Sequence, residues 1–329
     1  MKAKRFQKSQ KLVLLILPLL AVVAISGCTG TTTTGATFGN GVTVLNWEPS
    51  LSSVESGDGL QLRLRMQNQG QMTAGGVSAF ITGIVPGDWG IINSPTQPVD
   101  LAPPDRVQGT AGETREFLFN AVAPNIPKGT TQTFTPQVRV FYIYTTTASK
   151  LVTLVNNQEL QRLQDQGKTL SSKDTVSSAG PLKVTINTGK FLKTSQTGLG
   201  TGGTGSSRIF PITIDIQNVG GGMVTTTKST VGNPDYSVTF KLESSTSNLN
   251  FFSSGTQSDP CSPNGGIVQL WKGQTASVTC DVQILNPPLS TEDENLMVTL
   301  GYTYFIDAST TVSVTGINEA NAPIPVGTG

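Results

Sequence analysis

The chain writes one pattern twice, and this repetition constrains its fold more than any other feature. MQNQG (Met66–Gly70) and IQNVG (Ile216–Gly220) each close an alternating run, and Leu60, Leu62 and Leu64 stand in phase with Phe210, Ile212 and Ile214 at an offset of 150. Upstream, GVTVLNW (41–47) echoes PLKVTIN (181–187). The second copy then carries an insertion, GGMVTTTKSTVGNPD, after which the offset is 161. Val77, Ala79 and Ile81 match Val238, Phe240 and Leu242; Gly112-Glu113-Thr114 matches Gly273-Gln274-Thr275; Phe119 matches Cys280. Near the end the offset is 160: Val138, Val140, Tyr142 and Tyr144 meet Val298, Leu300, Tyr302 and Tyr304, and Ser149, Val152 and Leu154 meet Ser309, Val312 and Val314. Offsets that hold over long stretches identify a tandem duplication, and a repeat sets the fold before anything else does.

Each copy alternates apolar and polar residues in short runs, the pattern of half-buried strands. Only 13% of residues are charged, against roughly 25% in ordinary soluble domains. Thr, Ser, Asn, Gln and 36 Gly fill the difference, a mixture suited to strands and turns. The expected fold is all-β: two tandem immunoglobulin-like β-sandwiches, each with a core between two inner sheet faces. Val138, Val140, Tyr142 and Tyr144 share one face of a strand and are expected inside. A tyrosine pair can also serve as a sugar platform, but the repeat favours a core role with bonded hydroxyls. The Asn-x-Gly elements are read as structural turns: Asn68 and Asn218 bond local backbone, and Gly70 and Gly220 supply positive φ. Gly112 and Gly273 mark the second pair of turns.

These residues together resemble the CARDB and S-layer-associated Ig-like modules of archaeal surface proteins. The shared pattern is an apolar strand, N-x-G, a Val-rich strand, a Gly-Glu/Gln-Thr turn and V-x-V-x-Y-x-Y. The resemblance covers about 41–155 and 181–318. It implies an Ig-like fold and a surface location, and it brings no catalytic residues. The second copy departs from the pattern by its insertion and its cysteines.

The N-terminus points outward from the cell as well. Lys2, Lys4, Arg5, Lys8 and Lys11 precede an apolar run from Leu12 to Ile25, interrupted by Pro18. That run is shorter than the ~20 residues of an ordinary span and fits a signal-peptide core. Ile25-Ser26-Gly27-Cys28 resembles a lipobox, which makes Cys28 the expected lipidation site; an uncleaved anchor or a pilin-type leader are the alternatives. The expected organisation is a signal peptide (1–27), a lipidated Thr/Gly-rich stalk (28–40), sandwich one (41–155), a linker with a short helix (156–180), sandwich two (181–318) and a flexible tail (319–329). Cys261 and Cys280 remain. In an oxidising compartment a disulfide between them is expected, with two free thiols as the alternative.

Several functions are disfavoured. The chain has no histidine, which removes the Ser–His–Asp triad and histidine metal sites, and its 21 acidic residues form no suggestive cluster. A net charge of +1 gives no basic stripe for nucleic acid. The glycine-rich run at 193–207 lacks the Gly-Lys-Ser/Thr ending of a phosphate loop and reads as a flexible connection. Trp89, in the turn-rich VPGDWGIINSP, is either a partner contact or packing beneath its own loop; Trp271 is expected to pack at the end of the sandwich. No enzyme, cofactor or metal is expected. The expected function is a non-catalytic lipoprotein on the outer face of the cytoplasmic membrane. It would make structural or adhesive contacts with envelope proteins, surface polysaccharide or another copy. The alternatives are an accessory lipoprotein of a transport or secretion complex and a strand-exchanging filament subunit.

Overall fold

The computed structural model describes residues 41–194, 209–226, 234–253 and 259–317. The signal segment, Cys28, the stalk, residues 195–208 of the glycine-rich run and the tail lie outside them. Repeat one supplies β1 (Val42–Pro49), β2 (Ser53–Glu55), β3 (Gly59–Asn68), β4 (Ala74–Thr82), β5 (Val99–Leu101), β6 (Thr114–Val122), β7 (Thr131–Phe134) and β8 (Gln137–Asn156). A helix, α1 (Asn157–Asp165), follows. Asn156 caps it by accepting from the Gln158 N–H, and Gly167, at φ 68°, lies just past its end. The linker also supplies β9 (Val176–Ser177), and repeat two supplies β10 (Leu182–Asn187), β11 (Leu192–Thr194), β12 (Ile209–Asn218), β13 (Met223–Thr225), β14 (Ser237–Ser244), β15 (Leu249–Phe252), β16 (Gly266–Gln269), β17 (Thr275–Ile284), β18 (Thr291–Ser309) and β19 (Val312–Thr315).

The fold is all-β and of sandwich type. Its sheets run β1–β3–β6, β10–β12–β17–β15, β16–β14–β18–β8–β4–β5 and β2–β19–β7, with β9 and β11 beside β8 and β13 beside β18. Burial alternates along the strands, most cleanly in β3 and β12, so every second side chain enters a continuous apolar core. The expected inward set is inside: Val138, Val140, Tyr142 and Tyr144 and their counterparts Val298, Leu300, Tyr302 and Tyr304 are all buried.

Strand registers reproduce the duplication. Leu62 opposite Phe119 in repeat one becomes Ile212 opposite Cys280 in repeat two. Ala79 opposite Val140 becomes Phe240 opposite Leu300. Each member of each pair is shifted by the offset read from the sequence.

The two repeats share a sheet, an arrangement that alternation alone does not reveal. β8 and β18 pair antiparallel along their whole length, from Gln137 opposite Ser309 to Val155 opposite Thr291. Ile143 lies opposite Thr303, its own counterpart; Tyr142 lies opposite Tyr304, and Tyr144 opposite Tyr302. An approximate two-fold axis therefore passes between β8 and β18 at the Ile143–Thr303 pair. The described residues all belong to one compact unit.

Candidate binding groove

The clearest concavity lies in repeat two, where β12 and β17 meet the turn after β16. The turn is built from Trp271 to Gln274. The Gln274 N–H donates to the Trp271 carbonyl at 2.9 Å, and the Trp271 N–H donates to Thr275 O at 2.7 Å. Lys272 and Gly273 both have positive φ, 49° and 71°, as the two central residues of a type I′ turn require. Gly273 suits that geometry; Lys272 adopts it at a cost of about 1–2 kcal/mol. Tyr236, at φ 56°, is a second non-glycine residue in the left-handed region, and its ring packs where a Gly273 side chain would stand. Backbone strain of this kind gathers at functional sites.

These residues border an open groove of about 830 Å³. Buried Leu270 and Val268 line it from below, with Ile216 of β12. Its polar rim holds Asp215, Gln217, Gln269, Lys272 and Ser277. Asp215 is held in place by Ser277 Oγ at 2.8 Å and Asn187 Nδ2 at 2.6 Å, both donating to its carboxylate. The Lys272 ammonium lies 5.8 Å from the centroid of the Trp271 ring. Trp271 itself is 73% exposed. A large exposed ring flanked by a cation, amides and an oriented carboxylate can bind a partner through stacking and hydrogen bonds. Among the described residues no group of three or more His, Cys, Asp or Glu side chains could hold a metal ion.

The structure decides between the two readings of Trp89 and corrects the expectation for Trp271. Trp89 is not available to a partner. It is 1% exposed, in a 3₁₀ turn at Pro86–Trp89, and meets Phe134 edge-on at 5.2 Å. A loop of this composition buries its ring because indole offers more apolar area than any other nearby side chain. Trp271, expected to pack, is instead the exposed ring. The turn signal was in the sequence: Lys272-Gly273 between Trp271 and Thr275 places the indole outside a tight turn. At the corresponding place repeat one has Thr110.

The turn residues serve structure, though not in the way expected for two of them. Asn68 Nδ2 donates to Met72 O and Leu101 O, both at 2.9 Å, and its Oδ1 accepts the Gly70 N–H at 3.0 Å. Asn218 repeats this with Gly222 O and Gly273 O, both at 2.9 Å, and with the Gly220 N–H at 3.1 Å. Gly70 and Gly220 do not adopt positive φ. At Gly220 the constraint is space, since a Cβ there would overlap the Tyr304 hydroxyl. Gly112 is also a close-approach glycine, whose Cβ would overlap the Asn68 carbonyl oxygen.

The four central tyrosines are core, not platform. Tyr142, Tyr144, Tyr302 and Tyr304 form a closed set of ring contacts with centroids 5.7–6.2 Å apart. The Tyr144 hydroxyl donates to Ala179 O at 3.1 Å, Tyr304 donates to Asn218 Oδ1 at 2.8 Å, and Tyr302 shares a 2.7 Å hydrogen bond with Thr146. Burial raises the pKa of all four phenols, that of Tyr304 to about 12. Cys261 and Cys280 form the expected disulfide, with Cα atoms 5.6 Å apart, tying the segment before β16 to β17.

No family model matches this chain, and no curated protein matches it. Among solved structures it is similar to a mutant of Salmonella alpha-2-macroglobulin, at 10% identity over 86% of this chain and 23% of that one, with a TM-score of 0.20. It is similar to red sea bream transglutaminase at 8% identity over 84% and 32%, TM-score 0.17. Vibrio cholerae secreted serine protease VesC gives 9% identity over 82% and 51%, TM-score 0.19. The chain thus spans 23% to 51% of the lengths of those proteins. Similarity at this level says nothing about activity here.

Proposed function

We propose that this chain is a non-catalytic cell-surface lipoprotein. Lipid on Cys28 holds it to the outer face of the cytoplasmic membrane, and its two Ig-like halves make contacts with envelope proteins, surface polysaccharide or a second copy. The observation that carries the contact reading is the exposed Trp271, set on a strained turn beside the groove of repeat two. Its surroundings are suited to holding a ligand: an apolar floor, a polar rim and one cation. The lipid anchor rests on Ile25-Ser26-Gly27-Cys28 at the end of the apolar run.

The test is retention of purified residues 29–329 on isolated cell envelopes. Retention is expected, and Trp271→Ala is expected to lower it at least tenfold while changing stability by less than about 0.5 kcal/mol, as for a surface substitution. Undiminished retention of that variant would remove the groove from the function. Prior digestion of the envelopes with protease, or with glycan-cleaving enzymes, separates a protein partner from a polysaccharide.

A further inference from the structure

The last strand of each repeat leaves its own half. β19 belongs to repeat two by sequence, yet it pairs with two strands of repeat one. Ser313, Val314 and Thr315 lie parallel to Ser53, Val54 and Glu55 of β2, and Val312–Thr315 runs antiparallel to Thr131–Phe134 of β7. Val312 and Val314 are fully buried in this slot. The counterpart of β19 is the end of β8, and it does the same in reverse. Leu154 and Val155 lie parallel to Leu192 and Lys193 of β11, while Val152–Val155 runs antiparallel to Thr291–Glu294 of β18. The registers are equivalent: Val314 opposite Val54 and Gln132 in one slot corresponds to Leu154 opposite Leu192 and Glu292 in the other.

Reciprocal exchange of an identical element about a two-fold axis is the geometry of a strand-swapped dimer. We infer that the chain is such a dimer fused into one polypeptide, and that the slot between β2 and β7 is a strand-acceptor site. Its occupant is the strand Val312–Thr315, supplied in cis here and acceptable from a second copy when the cis strand is missing. Three observations support this. Among the described residues all the β19 ladder partners are in repeat one, so no described pairing ties it to its own half. Only Thr310 and Thr311 separate it from β18, a short hinge at which the strand path breaks. The segment 168–173 between the repeats is exposed apart from half-buried Leu170 and lies in no helix or strand, so the halves are held by pairing rather than by the connection. Strand addition of this kind takes affinity from main-chain bonds and specificity from pockets for alternate side chains; here Val312 and Val314 fill the pockets.

Two experiments test the inference. In the first, a protease site is placed within 168–173 of the full chain and cut. The fragments are expected to stay together in one particle by native size measurement and to part only in denaturant. Fragments that separate on cutting would overturn the fused dimer. In the second, a chain ending at Ser309 is expected to melt lower by on the order of 10 °C. A synthetic peptide of residues 308–317 should restore the loss at one peptide per chain, whereas the same peptide with Val312→Asp and Val314→Asp should not. The intact chain should not bind the peptide, since its slot is filled. No loss on truncation, or equal rescue by the altered peptide, would overturn the acceptor site. If the truncated chain does not fold, co-refolding with the two peptides gives the same comparison: recovery with only the native peptide supports the site, and recovery with neither overturns it.

Discussion

Where repeat one has Thr110, Ala111 and Gly112, repeat two has Trp271, Lys272 and Gly273. The following strands begin alike, and Asn68 and Asn218 each donate their backbone N–H to the next residue, Glu113 O at 3.1 Å and Gln274 O at 2.7 Å. The corners themselves differ. Gly112 is pressed against the Asn68 carbonyl without positive φ, while Gly273 takes φ 71° beneath Tyr236. The interiors differ as well. Phe119 meets Trp47 edge-on at 6.1 Å, and its counterpart Cys280 is bonded to Cys261. After duplication, the strands that meet across the two-fold axis must keep their register, because a one-residue slip would turn every buried side chain outward. Corners and far sheets are free of that requirement. The exposed tryptophan and the disulfide both arise there, and only in repeat two.

The sharpest way to break this comparison is at the paired glycines. Gly112→Ala forces a side chain into a backbone carbonyl and is expected to cost on the order of 4 kcal/mol. Gly273→Ala meets left-handed backbone and a movable tyrosine ring, at about 1–2 kcal/mol. Urea denaturation of the two variants measures the difference, and equal costs would mean that the corners are equivalent after all. Next comes the disulfide. Cys261→Ser with Cys280→Ser opens a loop closed over 19 residues of sequence separation and is expected to lose about 3 kcal/mol. Because the halves share one sheet, the loss should lower a single unfolding transition. Two separated transitions in the scan would contradict the shared core.

The buried asparagines give a smaller contrast. Asn68→Ala leaves two carbonyls without donors and is expected to cost about 2 kcal/mol. Asn218→Ala also strips the acceptor from the Tyr304 hydroxyl, so it should cost about 1 kcal/mol more. The last contrast depends on pH and is shared by both repeats. The buried phenols stay neutral in the folded chain, that of Tyr304 up to about pH 12, whereas unfolded phenols ionise near 10. Raised folded pKa values mean that this stabilisation is complete below pH 10 and is lost as pH rises through about 12. The expected slope is roughly 1.4 kcal/mol per pH unit for each tyrosine involved. Tyr304→Phe should reduce the slope by one tyrosine's share in denaturation measured between pH 9 and pH 12, and an unchanged slope would show that Tyr304 does not titrate in this way.

Much of the ladder was legible because alternation records which face is buried. Offsets visible in the sequence make Leu62 the counterpart of Ile212 and Phe119 that of Cys280, and the cysteine pair follows from compartment and spacing. Partner choice is not recorded in the same way. β8 and β18 read as ordinary half-buried strands, and nothing in VRVFYIY or VTLGYTYF says that each pairs with the other's repeat. That register depends on contacts made far apart in the chain. The groove was harder still. Trp271 and Trp89 carry the same side chain, and what separates them is backbone: a type I′ turn throws one ring outward, while a 3₁₀ turn folds the other under. Gly220 shows a similar limit, since a residue without Cβ serves equally for unusual φ and for crowding, and the sequence alone does not separate the two uses.

The two-fold pairing also brings the beginnings of both repeats together. Gly41 lies against Pro181 and Tyr142, so closely that no side chain fits, and the Gly41 and Pro181 carbonyls accept from the corresponding Gln69 and Val219 N–H groups at 2.8 Å. A pull arriving along the chain from its N-terminal side therefore enters beside the symmetry axis. The first residues of the two repeats are thus neighbours, so a tether to either would hold the molecule at the same place.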